Sequence, residues 1–576
     1  MTVKDPKVIL SLDHAFLLSN FFTLPFNEKA EEHRSPNANQ EQQQGMELSY
    51  LLTIVNAEFI LLANPDHADS EAVVLSTKEL LITQQTKTAL VVKQMGMFLC
   101  RMDMRKKSTL RFIQPFDVNL SMNGNPKNDQ GGLLTDLVMN IDPLVLRLSY
   151  RDAMLVTDIF NKAYELYSTS MNKEEDASTQ QTTAEYAQSL ISPSSQKDVD
   201  RLNEIALAQE SLRISFHGAQ IVLIEELHET PMVDMNLKPF NVEVANWSKA
   251  LSATVEFQAY INYFNIKNSH WEPLMEPWNF RLELARNSTT KNDPLNVKLI
   301  SNSILNVNIT HTFLESAYNT MHLMDKQKNT IYSGERGTVA PYELRNRTGY
   351  NIMVWNSTNA KEGPVIQEIK DGSNKPWWFE DWKTRRETTS FASNNLNVQI
   401  DGAMWESLRD IKLDTEGEHM HALRPMVKNV QHRIVFDVKL VDNIKIVTIR
   451  SSLVIENRTL LSVDVASIDP SGNMDGSVKK VAPGEDYAIP IEKAYTNRFC
   501  IRPDAGFGYR WTEKAFHWKD FASPAKPQST FSCLAEDADN NMPPFIFQIN
   551  ARLDKKSILF GQYPVMGIRL NIGPRF

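Results

Sequence analysis

His419 and His421, with Glu416 and Glu418 beside them, are the densest grouping of metal-capable side chains in the sequence. On a strand the two imidazoles would point the same way. Zinc takes three or four protein ligands, and two histidines with no third histidine or cysteine nearby make a poor site, so a solvated loop is the expected reading. No phosphate-cradling glycine loop, Gly-x-Ser-x-Gly or paired-cysteine motif occurs. Cys100, Cys500 and Cys533 are too few and too scattered for a disulfide framework or a zinc site, which suggests a reducing compartment. Trp377, Trp378 and Trp382 stand near Lys383, Arg385 and Arg386. Such a grouping could form a membrane-interface or peptide-binding patch; filling the core of a small β-module is the favoured reading. Asn-x-Ser/Thr triplets begin at Asn119, Asn246, Asn287, Asn308, Asn346, Asn356 and Asn457. Without a secretory signal they read as chance matches. These residues point to binding rather than catalysis, and the chain is expected not to be an enzyme.

Composition narrows the partners. The chain has 576 residues, enough for three to five domains at roughly 100–200 residues each, and a formal net charge of −9. A phosphate-neutralising surface needs clustered Lys and Arg, and no such stripe occurs, so nucleic acid is not an expected partner. The hydrophobic fraction of 42 % and charged fraction of 23 % are near the globular average. No apolar stretch approaches the roughly 20 residues that span a bilayer. The start, Met1-Thr-Val-Lys-Asp-Pro6, lacks a signal's apolar core, so the chain is expected to face the cytosol.

The elements that must position any site are mostly strands. Leu251, Ala253, Val255, Phe257, Ala259, Ile261 and Tyr263 alternate with Ser252, Thr254, Glu256, Gln258, Tyr260 and Asn262. That is a long strand with one apolar and one wet face. The pattern recurs at Leu110/Phe112 with Val118/Leu120/Met122, at Leu144/Leu146/Leu148/Tyr150 and at Leu212/Ile214/Phe216, as in antiparallel sheets. Helical spacing appears only at 153–167 and 312–326, each directly after an alternating strand. Residues 27–47 and 168–200, rich in Gln, Glu, Ser and Asn, offer too little apolar surface to order.

Two kinds of repeat follow. Leu146–Tyr150 and its helix can be laid on Leu305–Ile309 and its helix, a structural repeat of strands closed by one helix. More sharply, Tyr342-Glu-Leu-Arg-Asn346-Arg-Thr348 matches Leu453-Val-Ile-Glu-Asn457-Arg-Thr459, with Gly372 and Pro376 downstream of the first and Gly484 and Pro490 downstream of the second. Trp511, Phe516, Trp518 and Phe521 stand in the second block where Trp377, Trp378 and Trp382 stand in the first. The chain ends about where a third such strand is due, so an internal piece of a longer array is expected.

The tandem Asn-Arg-Thr blocks resemble the adaptor-binding region of the vacuolar protein sorting-associated protein 13 family, the chorein-motif, bridge-like lipid-transfer proteins. The upstream strands, with Ile141-Asp-Pro143 leading to Leu148-Ser-Tyr150-Arg-Asp and a helix, resemble that family's repeating β-groove units. The resemblance implies a mainly β fold: antiparallel β-groove (open gutter) units with short helices, then tandem all-β modules. It implies groove units at 1–168 (with a disordered loop at 27–47) and 201–338, and a disordered linker at 169–200. Adaptor-binding-type repeats are expected at 339–450 and 451–565, and the start of a truncated third at 566–576. Leu146, Leu148, Tyr150, Leu212, Ile214, Phe216, Val255, Phe257, Ala259, Ile261 and Val307 would line one shared concave surface. The repeat-signature asparagines Asn346 and Asn457 would satisfy backbone groups where a strand bends. No cofactor is expected beyond bound phospholipid or acyl chains.

The family implies that glycerophospholipids move between organelle membranes at contact sites of the endosome, vacuole, mitochondrion or endoplasmic reticulum, with the chain cytoplasmic and peripheral. Adaptors carrying a Pro-x-Pro motif dock mainly on later repeats. The alternative is a purely protein-binding β-scaffold, with the apolar faces packed on each other in closed sandwiches.

Overall fold

The computed structural model describes residues 2–11, 50–62, 70–84, 87–105, 109–123, 134–157, 161, 209–247, 250–287, 295–331, 336–357, 364–387, 394–521, 528–536, 542–555 and 566–574. The polar stretches 27–47 and 169–200 lie outside the described residues. The chain is mainly β, with few helices. It divides into two compact units: Met1–Asn265, Trp271–Gly337 and Trp382–Thr389 form one, and Ile266–His270, Thr338–Asp381 and Ser390–Phe576 the other.

The first unit is built on one sheet, in a linear order that does not close on itself. Tyr50–Leu62, Glu71–Gln84, Lys87–Arg101 and Leu110–Asn123 run antiparallel to their neighbours. Leu134–Ile141 and Leu144–Ser149 then both pair with Leu110–Asn123 and make one long strand, broken at Asp142-Pro143. A helix follows at 150–157. The next strand, Gln209–Phe216 with Ala219–Glu225, lies parallel to the one before the helix, a pairing that needs a crossover. Thr230–Leu237 with Phe240–Ala245, Ala250–Asn265, His270–Asn287 and Asn296–Ile300 continue the sheet antiparallel, and the His311–Ile331 helix ends the series. Each half is therefore five strand-lengths followed by a helix. Thr2–Lys4 and Lys7–Ser11, broken at Asp5-Pro6, lie parallel to Tyr50–Leu62 in the same manner.

The strand breaks have a local cause. Pro143 and Pro239 cannot donate to a ladder. Gly218, at the corresponding break, has φ +109°, and a Cβ there would come within 2.8 Å of the Leu237 carbonyl. Between Val242↔Val255 and Leu237↔Ala259, five steps on one strand oppose four on the other, which is a β-bulge. The two preceding strands keep their register across the break, so they carry the same extra residue.

The second unit holds two β-sandwiches whose five-stranded sheets share one strand order, faced by a four-stranded sheet in the first and a three-stranded sheet in the second. In the first, Asn374–Trp377, Tyr342–Arg347, Ile444–Ser451, Arg433–Val441 and Gly417–Ala422 form one sheet. In the second, Asp486–Ala488, Leu453–Asn457, Met566–Pro574, Phe545–Lys555 and Gln528–Cys533 take the same order. Residues 566–574, expected to open a third repeat, instead pair parallel to Leu453–Asn457 and complete the second sandwich, as Ile444–Ser451 completes the first. Each sandwich closes on its own buried core, with Leu344, Val354, Val398 and Phe436 in one and Ile455, Val465, Phe516 and Phe547 in the other.

Candidate functional site

Register decides which side chains of the first unit share a face. Leu52, Ile82, Leu90, Leu120, Met139, Ile214, Val242 and Val255 lie directly opposite one another across eight successive strands. Every member of that row is apolar. One step along, on the other face, Asn119, Asn140, Ser215 and Asn241 are in register. That face also carries ion pairs, Arg281 Nε with Glu256 Oε1 at 2.9 Å and Arg213 with Asp136 at 3.1 Å.

The bulge keeps the apolar face continuous. Ala250–Asn265 has no break, so Val255, Phe257, Ala259 and Ile261 all point one way. Ile261 pairs with Met235, Met235 with Ile221 and Ile221 with Leu146. Leu146 and Leu148 therefore share a face with Leu212, Ile214 and Phe216, although simple alternation across the break would separate them.

Among the described residues, two parts of the face are seen to be covered. Leu146 and Leu148 pack with Val73, Leu99, Leu110 and Phe112 beneath Leu155, Val156 and Trp382, so helices close this part. Near the other helix Tyr263 is buried, edge-on to Phe313, and its hydroxyl bonds Glu272 and Thr310. In the row of eight, Val255 is buried and the other seven are half-buried, and none belongs to a buried cluster. An apolar patch of this extent that joins no buried cluster among the described residues is the candidate binding surface. It offers no acid, base or nucleophile, so its chemistry is the accommodation of apolar chains.

Two expected lining residues lie elsewhere. Tyr150 is not the end of a strand but the first helical residue, 39 % exposed. Ser149 and Asp152 form a capping box, the Asp152 amide donating to Ser149 Oγ and the Ser149 amide to Asp152 Oδ2, which starts the helix there. Val307 bridges to Met275 of the His270–Asn287 strand and is half exposed. The structure adds Phe240, Val242 and Phe280 to the face. Their alternation within Phe240–Ala245 and Phe280–Leu284 was the available signal.

Beside the covered end lies a buried ion cluster. Arg386 binds Asp152, and Glu229 at 2.5 Å; Arg336 binds Asp152 at 2.7 Å and Glu229 at 3.1 Å. Burial pushes the Asp152 carboxyl up, but the two guanidiniums outweigh it and hold it below the usual range. Burial pushes Glu229 up.

In the sandwiches the asparagines occupy equivalent places. Asn346 Nδ2 donates to the carbonyls of Tyr350 (2.7 Å) and Ile369 (2.9 Å), and its Oδ1 accepts from the Thr348 amide and hydroxyl. Asn457 Nδ2 donates to Leu461 (2.8 Å) and Val481 (2.9 Å), with Oδ1 accepting from Thr459 likewise. Both are fully buried. Gly372 and Gly484, each at φ +76°, donate to the carbonyl of the respective asparagine.

The tryptophans make no single patch. Trp377 is buried in the first sandwich core, Trp378 is 38 % exposed, and Trp382 packs in the first unit, where Arg385 and Arg386 are buried. His419 Nε2 contacts the Thr415 carbonyl, and His421 packs edge-on to Phe436. Among the described residues no grouping could hold a metal ion. The three cysteines are buried and free. No described helix is long and apolar enough to cross a membrane.

Comparison with known proteins finds two overlapping family matches. A family model of the VPS13-like family middle region matches residues 3–461, and one of the vacuolar-sorting associated protein 13 adaptor binding domain matches 381–573. An intermembrane lipid transfer protein VPS13 of Chaetomium thermophilum is 31 % identical over 94 % of the chain and 18 % of the relative. Vps13D of Drosophila melanogaster is 20 % identical over 77 % of the chain and 13 % of its own length. Human VPS13C is 18 % identical over 55 % and 9 %. The chain thus spans less than a fifth of the length of these relatives.

Proposed function

Because this chain belongs to the VPS13-like family, we propose that its first unit is a stretch of lipid-conducting groove and its two sandwiches are adaptor-targeting modules of a longer intermembrane lipid transfer protein. The observation that carries the reading is the eight-strand apolar row, whose members join no buried cluster. Glycerophospholipids would lie with their acyl chains on that face and their headgroups toward water, which needs no cofactor and no catalytic group. The relatives' names speak for intermembrane lipid transfer, and the second matched model for adaptor binding. Adaptors with a Pro-x-Pro motif would dock chiefly on further modules of the same kind. The setting is peripheral, at contact sites between organelles such as the endosome, vacuole, mitochondrion and endoplasmic reticulum.

Mass spectrometry of lipids extracted from the purified chain tests the conduit. Co-purified phospholipid at one or more molecules per chain is expected. Lipid-free protein that also takes up none from vesicles would leave a protein-binding scaffold instead.

A further inference from the structure

One row of the apolar face changes character between the halves of the sheet. Ile54, Leu80, Val92, Val118 and Ile141 make it aliphatic in the first half. Phe216, Phe240, Phe257 and Phe280 continue it on four adjacent strands, with ring centroids 5.0, 4.6 and 5.2 Å apart. Trp278 stacks on Phe280 at 4.6 Å, and its Nε1 donates to the Ser303 carbonyl at 3.2 Å. These rings do not serve a closed core: all five are half-buried and none joins a buried cluster. Across the bulge the neighbouring row is Leu144, Ala219, Leu237 and Ala259. Two of its four side chains are single methyls, so the surface steps down beside the rings.

We propose that this step is the station at which a transported lipid rests, with an acyl chain lying lengthwise along the aromatic row and across the strands. The inference rests on the conduit reading and adds where on the face a chain is held. Strands lie about 4.8 Å apart, so four of them give the row a length on the order of 14 Å, similar to an extended acyl segment. Aromatic rings present large surfaces with only two torsions to fix, so a chain packed on them orders less protein than one on aliphatic side chains. Dwell time is therefore longer on the second half of the sheet than on the first. Trp278, at the end of the row, reports on occupancy.

The test uses the full chain loaded with phosphatidylcholine brominated on its acyl chains, against the same lipid unbrominated. Bromine is expected to quench a component of the tryptophan fluorescence, and Trp278→Phe to remove that component. Phe240→Leu with Phe257→Leu keeps the face apolar and is expected to speed lipid release about two- to tenfold. Lipid retained without quenching at Trp278, or release unchanged in the leucine variant, overturns the station and leaves the conduit standing. A chain that binds no lipid in the extraction assay overturns both. The Trp278 measurement leaves the four phenylalanines unchanged, so it decides the matter if the leucine pair fails to fold.

Discussion

At the scale of single residues, the Asn-Arg-Thr motif is a backbone device. Each asparagine spends both amide protons on carbonyls and its oxygen on a threonine. Removing it strands several buried groups, each costing about 1–3 kcal/mol. Asn346→Ala and Asn457→Ala are each expected to destabilise their own sandwich by roughly 3 kcal/mol, read as faster hydrogen exchange in its strands. The two losses should agree within about 1 kcal/mol, since the bond sets are the same. A loss in one copy only would break the equivalence. The triplets mark these positions in the sequence. The carbonyls they satisfy do not show there, since those of Ile369 and Val481 lie more than twenty residues away on unremarkable side chains.

At the scale of elements, alternation identifies the strands and fails where they break. Period two runs true through Ala250–Asn265, so Val255, Phe257 and Ile261 could be placed on one face from sequence. Across Asp142-Pro143 and His217-Gly218 the parity inverts, and only the ladder shows that Leu146 still faces with Ile214. Tyr150 reads as one more apolar step of a strand until the Ser149/Asp152 box is recognised. The ion cluster was illegible because its members, Asp152, Glu229, Arg336 and Arg386, come from four distant segments and show no local pattern. Asp152→Asn leaves Arg386 buried and poorly compensated, which costs roughly 3–5 kcal/mol at neutral pH. In the folded chain Asp152 titrates below its ordinary value, so its stabilisation is present above about pH 4 and lost as the pH falls through the folded value. Thermal unfolding should therefore show a wide gap between wild type and Asp152→Asn at pH 7 that narrows toward pH 3. A gap of constant width would mean the carboxylate charge is not what holds the cluster.

At the scale of the molecule, the two units treat their apolar faces in opposite ways, and one experiment separates them. The sandwiches bury theirs against a second sheet, so side chains such as Phe436 and Phe547 are fully enclosed. In the first unit Phe257 and Ile261 are only half-buried, and the row beside them joins no buried cluster. Charge placed there disturbs no closed core, since Phe240 and Phe280, the ring neighbours of Phe257, are themselves half-buried, and the backbone ladder is untouched. Against an acyl chain, however, an unpaired ion costs several kcal/mol, enough to interrupt a continuous apolar track. Phe257→Asp with Ile261→Asp is thus expected to leave the unfolding temperature within a few degrees of wild type while lipid retention and transfer fall at least tenfold. The same pair of changes at Phe436 and Val438, inside a closed core, should cost more than roughly 4 kcal/mol and prevent that sandwich from folding. If the first double variant also unfolds, its face is a core and no lipid path runs over it. If it stays folded and carries lipid as well as wild type, the apolar row is not the path either.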